Sequence, residues 1–323
     1  MENPLSGACV LVTGGSGFLG RYVCAMLEDA GAQAISVSRR SGFDLRNEAE
    51  ALTAVMATKP DIIVHLAAIV GGIGANMKSP ATFFRDNLSM GMNVIHAAAI
   101  ARTRLICVGT LCSYPREGIE IPFKEADFWM GFPEETNAPY GIAKKALLVM
   151  CQAYQKQHGL KYGYLVPSNL FGPADNFDDN SSHVIPALIR RYAEALESDA
   201  KEVVCWGTGK ATRSFLHVRD AAKATVLACS SLDYDGPVNL GGTQEISMKD
   251  LAKLISDAVG YKGKTKWDHS KPDGQPRRAV DSALVEELLK WKPETSLEDG
   301  IKETVEWYVS SRSSAVKTET AEK

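Results

Sequence analysis

No apolar run in the 323 residues reaches the roughly 20 needed to cross a bilayer. The first residues, Met1-Glu2-Asn3-Pro4, have neither the basic nor the apolar region of a secretory signal. A soluble, cytoplasmic protein with no membrane partner is therefore expected. An excess of one charge sign is missing too: 36 basic side chains face 39 acidic ones, a formal net charge of −3. Phosphate-backbone binding needs a basic face, so no nucleic acid partner is expected, and any bound anion must be held by a few placed arginines. The seven cysteines, Cys9, Cys24, Cys107, Cys112, Cys151, Cys205 and Cys229, stand singly, with no CxxC pair and no zinc-like spacing. A disulfide framework is excluded and most are expected to be reduced core residues. The acidic stretch from Asp175 to Asn180 lacks the spacing and glycine of an EF-hand. No metal is expected there, and the stretch reads as a solvated loop closing over a substrate. There is no internal repeat.

Strand-like runs at Cys9-Val12, Ile35-Ser38, Ile62-Leu66 and Leu105-Val108 alternate with helical patterns around residues 18–30, 47–57 and 82–101. Alternation of this kind predicts an α/β fold, a Rossmann-type doubly wound parallel sheet. A further strand near Leu165-Val166 is followed by a loop from Asn169 to Ser182. Beyond that the elements shorten, with strand candidates at Val203-Cys205 and Val238-Leu240, which predicts a smaller C-terminal substrate-binding lobe. The boundaries are residues 1–170 for the dinucleotide-binding domain, with later segments returning to it, and 171–311 for the substrate lobe. Residues 312–323 are polar with almost nothing to bury, so a disordered tail is expected.

The most informative stretch joins the first strand to the first helix: Val12-Thr13-Gly14-Gly15-Ser16-Gly17-Phe18-Leu19-Gly20-Arg21. Strand, glycine turn and helix in that order offer backbone N–H groups and a positive helix end to a pyrophosphate. Two registers fit, Gly15-x-Gly17-x-x-Gly20 and Gly14-x-x-Gly17-x-x-Gly20. At the end of the second strand an NAD-selective unit carries a carboxylate for the ribose 2′-OH, whereas this chain has Ser38-Arg39-Arg40-Ser41. Two guanidiniums suit a 2′-phosphate, so NADP(H) is the expected cofactor. Asp44 reads as an adenine contact or a loop acid.

Tyr140 and Lys144 lie four apart, with Pro139 suited to the first turn of a helix that continues to about Gln157, so both share one helix face. A nearby ammonium is expected to draw the phenol's pKa of about 10 towards neutrality. Leu105-Ile106-Cys107-Val108-Gly109-Thr110 delivers a hydroxyl to the carboxyl end of a strand, where Thr110 can bond the same carbonyl oxygen that Tyr140 protonates.

Val70-Gly71-Gly72-Ile73, Cys112-Ser113-Tyr114-Pro115, Asn169-Leu170-Phe171-Gly172-Pro173, Ser182-His183 through Arg190-Arg191, and Lys271-Pro272-Asp273-Gly274 complete the pattern. With them the chain, from residue 8 to about 305, resembles the extended short-chain dehydrogenase/reductase superfamily. Within it the chain is similar to the NADPH-dependent 3,5-epimerase/4-reductases that form GDP-L-fucose from GDP-4-keto-6-deoxy-D-mannose. The resemblance implies Tyr140 as general acid for reduction, Lys144 as its partner and ribose contact, and Thr110 as the hydroxyl at a position where family members commonly have serine. It implies Cys112 as the base and His183 as the acid of epimerisation. It further implies cofactor contacts from Gly14, Ser16, Gly17, Phe18, Leu19, Gly20, Arg39, Arg40 and Asp44, from Leu66, Ala67 and Ala68, and from Lys144, Pro167, Asn169, Leu170 and His183. Asn169, Val184, Arg191, Trp206, Arg213 and Asp273 are implied for a GDP-sugar substrate, and a homodimer through the helices near 82–101 and 139–157. Two other readings stand beside it. One is a related epimerase or C4-reductase for another nucleotide-linked 4-keto sugar of deoxyheptose or colitose type. The other is a non-catalytic NADP-binding sensor, against which intact Tyr140, Lys144, Cys112 and His183 argue.

Overall fold

Val10, Leu11 and Val12 are almost wholly enclosed in β1 (Cys9–Thr13), which a strand needs when helices cover both faces of its sheet. The computed structural model describes residues 3–321 without Asn180 and Pro272, and from position 313 the backbone alone. Around β1 are built β2 (Gln33–Val37), β3 (Ile62–His65), β4 (Arg104–Val108) and β5 (Tyr162–Pro167). All pair in parallel. A short β6 (Asn169–Phe171) stands where the sequence suggests loop, then β7 (Glu202–Trp206), β8 (Thr212–His217) and β9 (Pro237–Leu240). β9 joins the large sheet beside β5, giving the order β2-β1-β3-β4-β5-β9. That order reverses between β1 and β3, and the crevice at the carboxyl ends of the strands there is where such sheets bind ligands.

The helices are α1 (Phe18–Asp29), α2 (Glu48–Thr58), α3 (Ile73–Lys78), α4 (Pro80–Ala101), α5 (Ala138–His158), α6 (Val184–Glu197), α7 (Val218–Ser231), α8 (Met248–Val259), α9 (Ala283–Leu289) and α10 (Leu297–Ala321). One core is formed by α2, α4 and α5 on the sheet, and a second by α1, α7 and α9 on the opposite face. A third core joins α6, α8 and α10 to β7 and β8, around Ile189, Tyr192, Phe215 and Ile255. There β8 is flanked by β10 (Glu245–Ser247) and β12 (Arg277–Arg278), while β7 pairs with β11 (Lys264–Asp268). Among the described residues no helix is long and apolar enough to cross a membrane.

Two details differ from the sequence-based expectation. α10 continues in its backbone to Ala321, through most of the segment expected to be without order. Its anchored turns, with Ile301, Thr304, Val305 and Tyr308 buried, supply the nucleus from which a helix propagates at one bond per residue. The last two positions of that tail, 322 and 323, lie outside the described residues. The acidic loop before His183 is tied down rather than simply solvated. Phe177 stacks on Tyr308 and Trp307 at 4.5 and 5.8 Å, Asn176 Nδ2 donates to Ser181 Oγ at 2.8 Å, and Asp179 pairs with Arg190.

Candidate active site

The glycine turn resolves into Gly14-x-x-Gly17-x-x-Gly20. Gly14 has φ of +72°, a left-handed conformation that favours glycine, and a Cβ there would sit 2.9 Å from the Ala67 backbone. Gly17 is the N-cap of α1, with no side-chain cap, so the first-turn amides, which begin at Phe18, Leu19 and Gly20, have no side chain closing the helix end. At Gly20 a Cβ would lie 2.1 Å from Gly14 O, so only glycine lets the helix approach the turn this closely. An open helix end above a side-chain-free turn fits a pyrophosphate. Leu66, Ala67 and Ala68 follow β3 on the other side of the turn and are half-buried. Thr13 Oγ1 holds them there, accepting from Ala67 N at 3.3 Å and bonded to His65 Nδ1 at 2.8 Å.

Arg39 and Arg40 are exposed in a single 3-10 turn directly after β2, closed by a Ser38–Ser41 capping pair. Their place suits the 2′-phosphate reading. Asp44 is committed elsewhere: Arg46 Nε donates to both its carboxylate oxygens, at 2.9 and 3.1 Å, and bridges on to Asp86. The Arg46 hydrogen bond holds the Asp44 carboxyl down to about 2. Asp44 is thus a loop acid in this structure, its carboxylate spent on an arginine that sequence reading did not pair with it.

The second half of the site forms where β4 ends against α5. Thr110 caps a short 3-10 turn, Leu111–Ser113, its hydroxyl accepting from Cys112 N at 3.2 Å. This turn lies directly on α5: Ser113 Oγ donates to Gly141 O at 2.8 Å, and a Cβ on Gly141 would come within 2.3 Å of Cys112 O. Cys112 is therefore locked to the residue that follows Tyr140. The Tyr140 phenol lies near the Thr110 hydroxyl and packs edge-on against Phe83, 6.4 Å between centroids. Burial first, and the charge of Cys112 second, raise its pKa above the ordinary phenol value, with the Thr110 hydroxyl opposing them. The expected fall is not observed. Lys144 is itself almost fully enclosed, its ammonium donates to Val108 O at 3.1 Å, and desolvation lowers its own pKa. Burial therefore favours the protonated phenol at Tyr140, the form that can donate a proton.

His183 is the N-cap of α6, followed by the exposed Val184. His183 is exposed, and desolvation by the surrounding protein lowers its pKa. Pro167 ends β5, and Asn169 and Leu170 begin β6, where Asn169 Nδ2 already donates to Ser214 O at 3.0 Å. Arg213 of β8 lies within electrostatic reach of Cys112 and Asp273, and burial lowers its pKa to about 10. Trp206 is 61% exposed, with Lys271 Nζ 5.7 Å from its ring centroid. Arg191 makes one long bond, Nη1 to Val204 O at 3.5 Å. Asp273 accepts from Thr208 N at 2.6 Å and Thr208 Oγ1 at 2.7 Å, so both its oxygens are engaged with the turn after β7.

One residue was missed by reading the sequence. Arg278 sits opposite Arg213 in the β12–β8 register, and the two like charges repel. Its neighbour Arg277 is paired with Glu245 through Nε at 2.8 Å and Nη2 at 2.8 Å, whereas Arg278 Nε is buried with no partner among the described residues. Two adjacent guanidiniums whose nearest carboxylates, Asp273 and Glu245, are already engaged by Thr208 and Arg277 suit an anion that joins them. The Arg277-Arg278 dipeptide was the available signal, since alternation in a strand sends one of the pair to each face.

The NAD dependent epimerase/dehydratase family matches residues 10–241. GDP-L-fucose synthase 1 of Arabidopsis thaliana is 39% identical over 303 residues, 94% of this chain and 93% of that protein. Among solved structures, a GDP-L-fucose synthetase from Naegleria fowleri bound to NADP superposes with a TM-score of 0.87 at 29% identity, covering 95% of this chain and 94% of its own. A GDP-6-OMe-4-keto-L-xylo-heptose reductase from C. jejuni also superposes with a TM-score of 0.87, at 27% identity, over 94% of this chain and 98% of its own.

Proposed function

The chain belongs to the NAD dependent epimerase/dehydratase family, and from that premise we propose that it converts GDP-4-keto-6-deoxy-D-mannose to GDP-L-fucose by inverting C3 and C5 and reducing C4. The observation that carries this reading is the fastening of Cys112 to the Tyr140 helix. A thiol, a hydroxyl and a phenol meet at the end of β4, with Arg213 in reach. Carbonyl reduction needs only the phenol and the hydroxyl, so the thiol serves a second proton transfer. NADPH, when bound, supplies the hydride for C4. Cys112 removes a proton from the carbon beside the ketone, His183 returns one to the opposite face, and Tyr140, oriented by Thr110, protonates the C4 oxygen. Inversion precedes reduction, because the ketone acidifies its neighbouring C–H bonds only while it lasts. Arg213 and Arg278 hold the diphosphate, with Arg191 and Trp206 on the nucleotide. Incubation with GDP-4-keto-6-deoxy-D-mannose and NADPH is expected to yield a product inverted at C3 and C5 by NMR. A product reduced at C4 with both centres unchanged would leave only a reductase of the kind the heptose enzyme's name describes.

We also propose a homodimer through α4 and α5. Phe84, Met92 and Ile100 of α4, Val149 of α5 and the nearby Phe132 are exposed large apolar side chains. Pro80, Ala81, Phe84, Phe132, Ala138, Pro139 and Ile142 also line a largely apolar groove of about 540 Å³. A second copy of the same surface covers such a face by two-fold symmetry. Sedimentation is expected to give the dimer mass, and Phe84→Glu with Met92→Glu a monomer; a wild-type monomer at micromolar concentration would refute this.

A further inference from the structure

The Val70-Gly71-Gly72-Ile73 segment has no role in the chemistry above, yet two buried asparagines bond its backbone from either end. Asn87, buried in α4, brackets its start: Ile69 N donates to Asn87 Oδ1 at 2.9 Å, and Asn87 Nδ2 donates to Ile69 O at 3.0 Å. Asn76, 3% exposed in α3, brackets its end, Nδ2 donating to Gly71 O at 3.0 Å and Gly72 O at 3.2 Å. Two buried amides satisfy the backbone of a segment outside regular structure. The loop then leans on the chain that carries His183. Gly72 N donates to Ser181 O at 3.3 Å, and a Cβ on Gly72 would lie 3.1 Å from Ser182 O, one residue before the imidazole. On its other side a Cβ on Gly71 would lie 3.4 Å from Phe83, the ring against Tyr140.

We propose that this clamped glycine strap is the positioning element for His183, with Gly72 and Asn76 as positioning residues for proton return in the isomerising half-reaction. The proposal rests on the epimerase reading for its consequence, and on the contacts alone for its structural part. The absence of a side chain at Gly72 lets the strap close on the Ser181–Ser182 backbone, and Asn76 stops it from moving away. Loosening either end frees the Ser181–Ser182 backbone that carries His183, changing the setting of the imidazole while leaving the glycine turn and the Arg39–Arg40 turn untouched.

The test uses the full chain and the variants Gly72→Ala and Asn76→Ala, with the His183 imidazole followed by NMR across pH and assigned by His183→Gln. In wild type His183 is expected to titrate below the ordinary value of about 6.5, and in both variants to move up towards it. Solvent deuterium uptake at C3 and C5 of the 4-keto sugar nucleotide should fall about tenfold or more, with NADPH affinity and melting temperature near wild type. An unshifted His183 titration in both variants would overturn the proposal, as would parallel loss of NADPH binding and exchange, which marks general unfolding. If wild type takes up no deuterium, the epimerase reading fails, and the His183 titration still decides whether the strap positions that ring.

Discussion

Replacing Tyr140 by phenylalanine is expected to slow C4 reduction by about 10²–10⁴-fold, the usual worth of a placed general acid, while deuterium continues to enter C3 and C5. The ring is retained, so the edge-on contact with Phe83 and the packing of α5 on the Cys112 turn remain. Only the donor hydroxyl beside Thr110 is removed. Stopped-flow loss of NADPH absorbance measures the first half-reaction and NMR in deuterium oxide the second. Unchanged hydride transfer would take Tyr140 out of the chemistry. The sign of its pKa shift adds a second readout. Because the folded environment raises the phenol's pKa, the acid form is complete at neutral pH and persists past the ordinary phenol value of about 10. An ultraviolet difference titration of wild type against Tyr140→Phe should therefore show no tyrosinate from this residue below about pH 10; ionisation near neutrality would mean that Lys144, not burial, dominates.

That contrast shows where reading the chain succeeds. The placing of Tyr140 and Lys144 on one helix and the glycine turn are local, set by helix periodicity and by turn chemistry within a few residues, and the structure has both residues on α5 and the turn between β1 and α1. The direction of the phenol's shift depends on how deeply Tyr140 is buried and on Cys112 beside it, and the Lys144 ammonium goes to Val108 O, a residue of β4 distant in sequence. Asp44, Asp273 and Arg278 follow the same rule. A carboxylate looks available in sequence until Arg46 or Thr208 is brought to it. An arginine looks ordinary until strand register sets it beside Arg213. The composition of the acidic loop carries no sign that Phe177 finds Tyr308 across more than a hundred residues.

Cys112→Ser is expected to have the other large effect: uptake of solvent deuterium at C3 and C5 falls by about 10²–10⁴-fold, and the product of slow turnover is reduced at C4 without inversion. A thiol has an ordinary pKa of about 8.5 and reaches its basic form cheaply, whereas a serine hydroxyl does not ionise in the working range. The substitution is gentle on the fold because the turn is held by groups other than sulfur. The Cys112 amide donates to Thr110, its carbonyl rests against Gly141, and Ser113 donates to Gly141 O. Thr110 and Tyr140 thus stay in place to serve the reduction. Were Cys112 only a half-buried packing residue, serine would cost stability and spare the exchange, so melting temperature and deuterium uptake separate the two roles. Uptake at the wild-type rate would remove the thiol as base and leave His183 facing no partner for proton transfer.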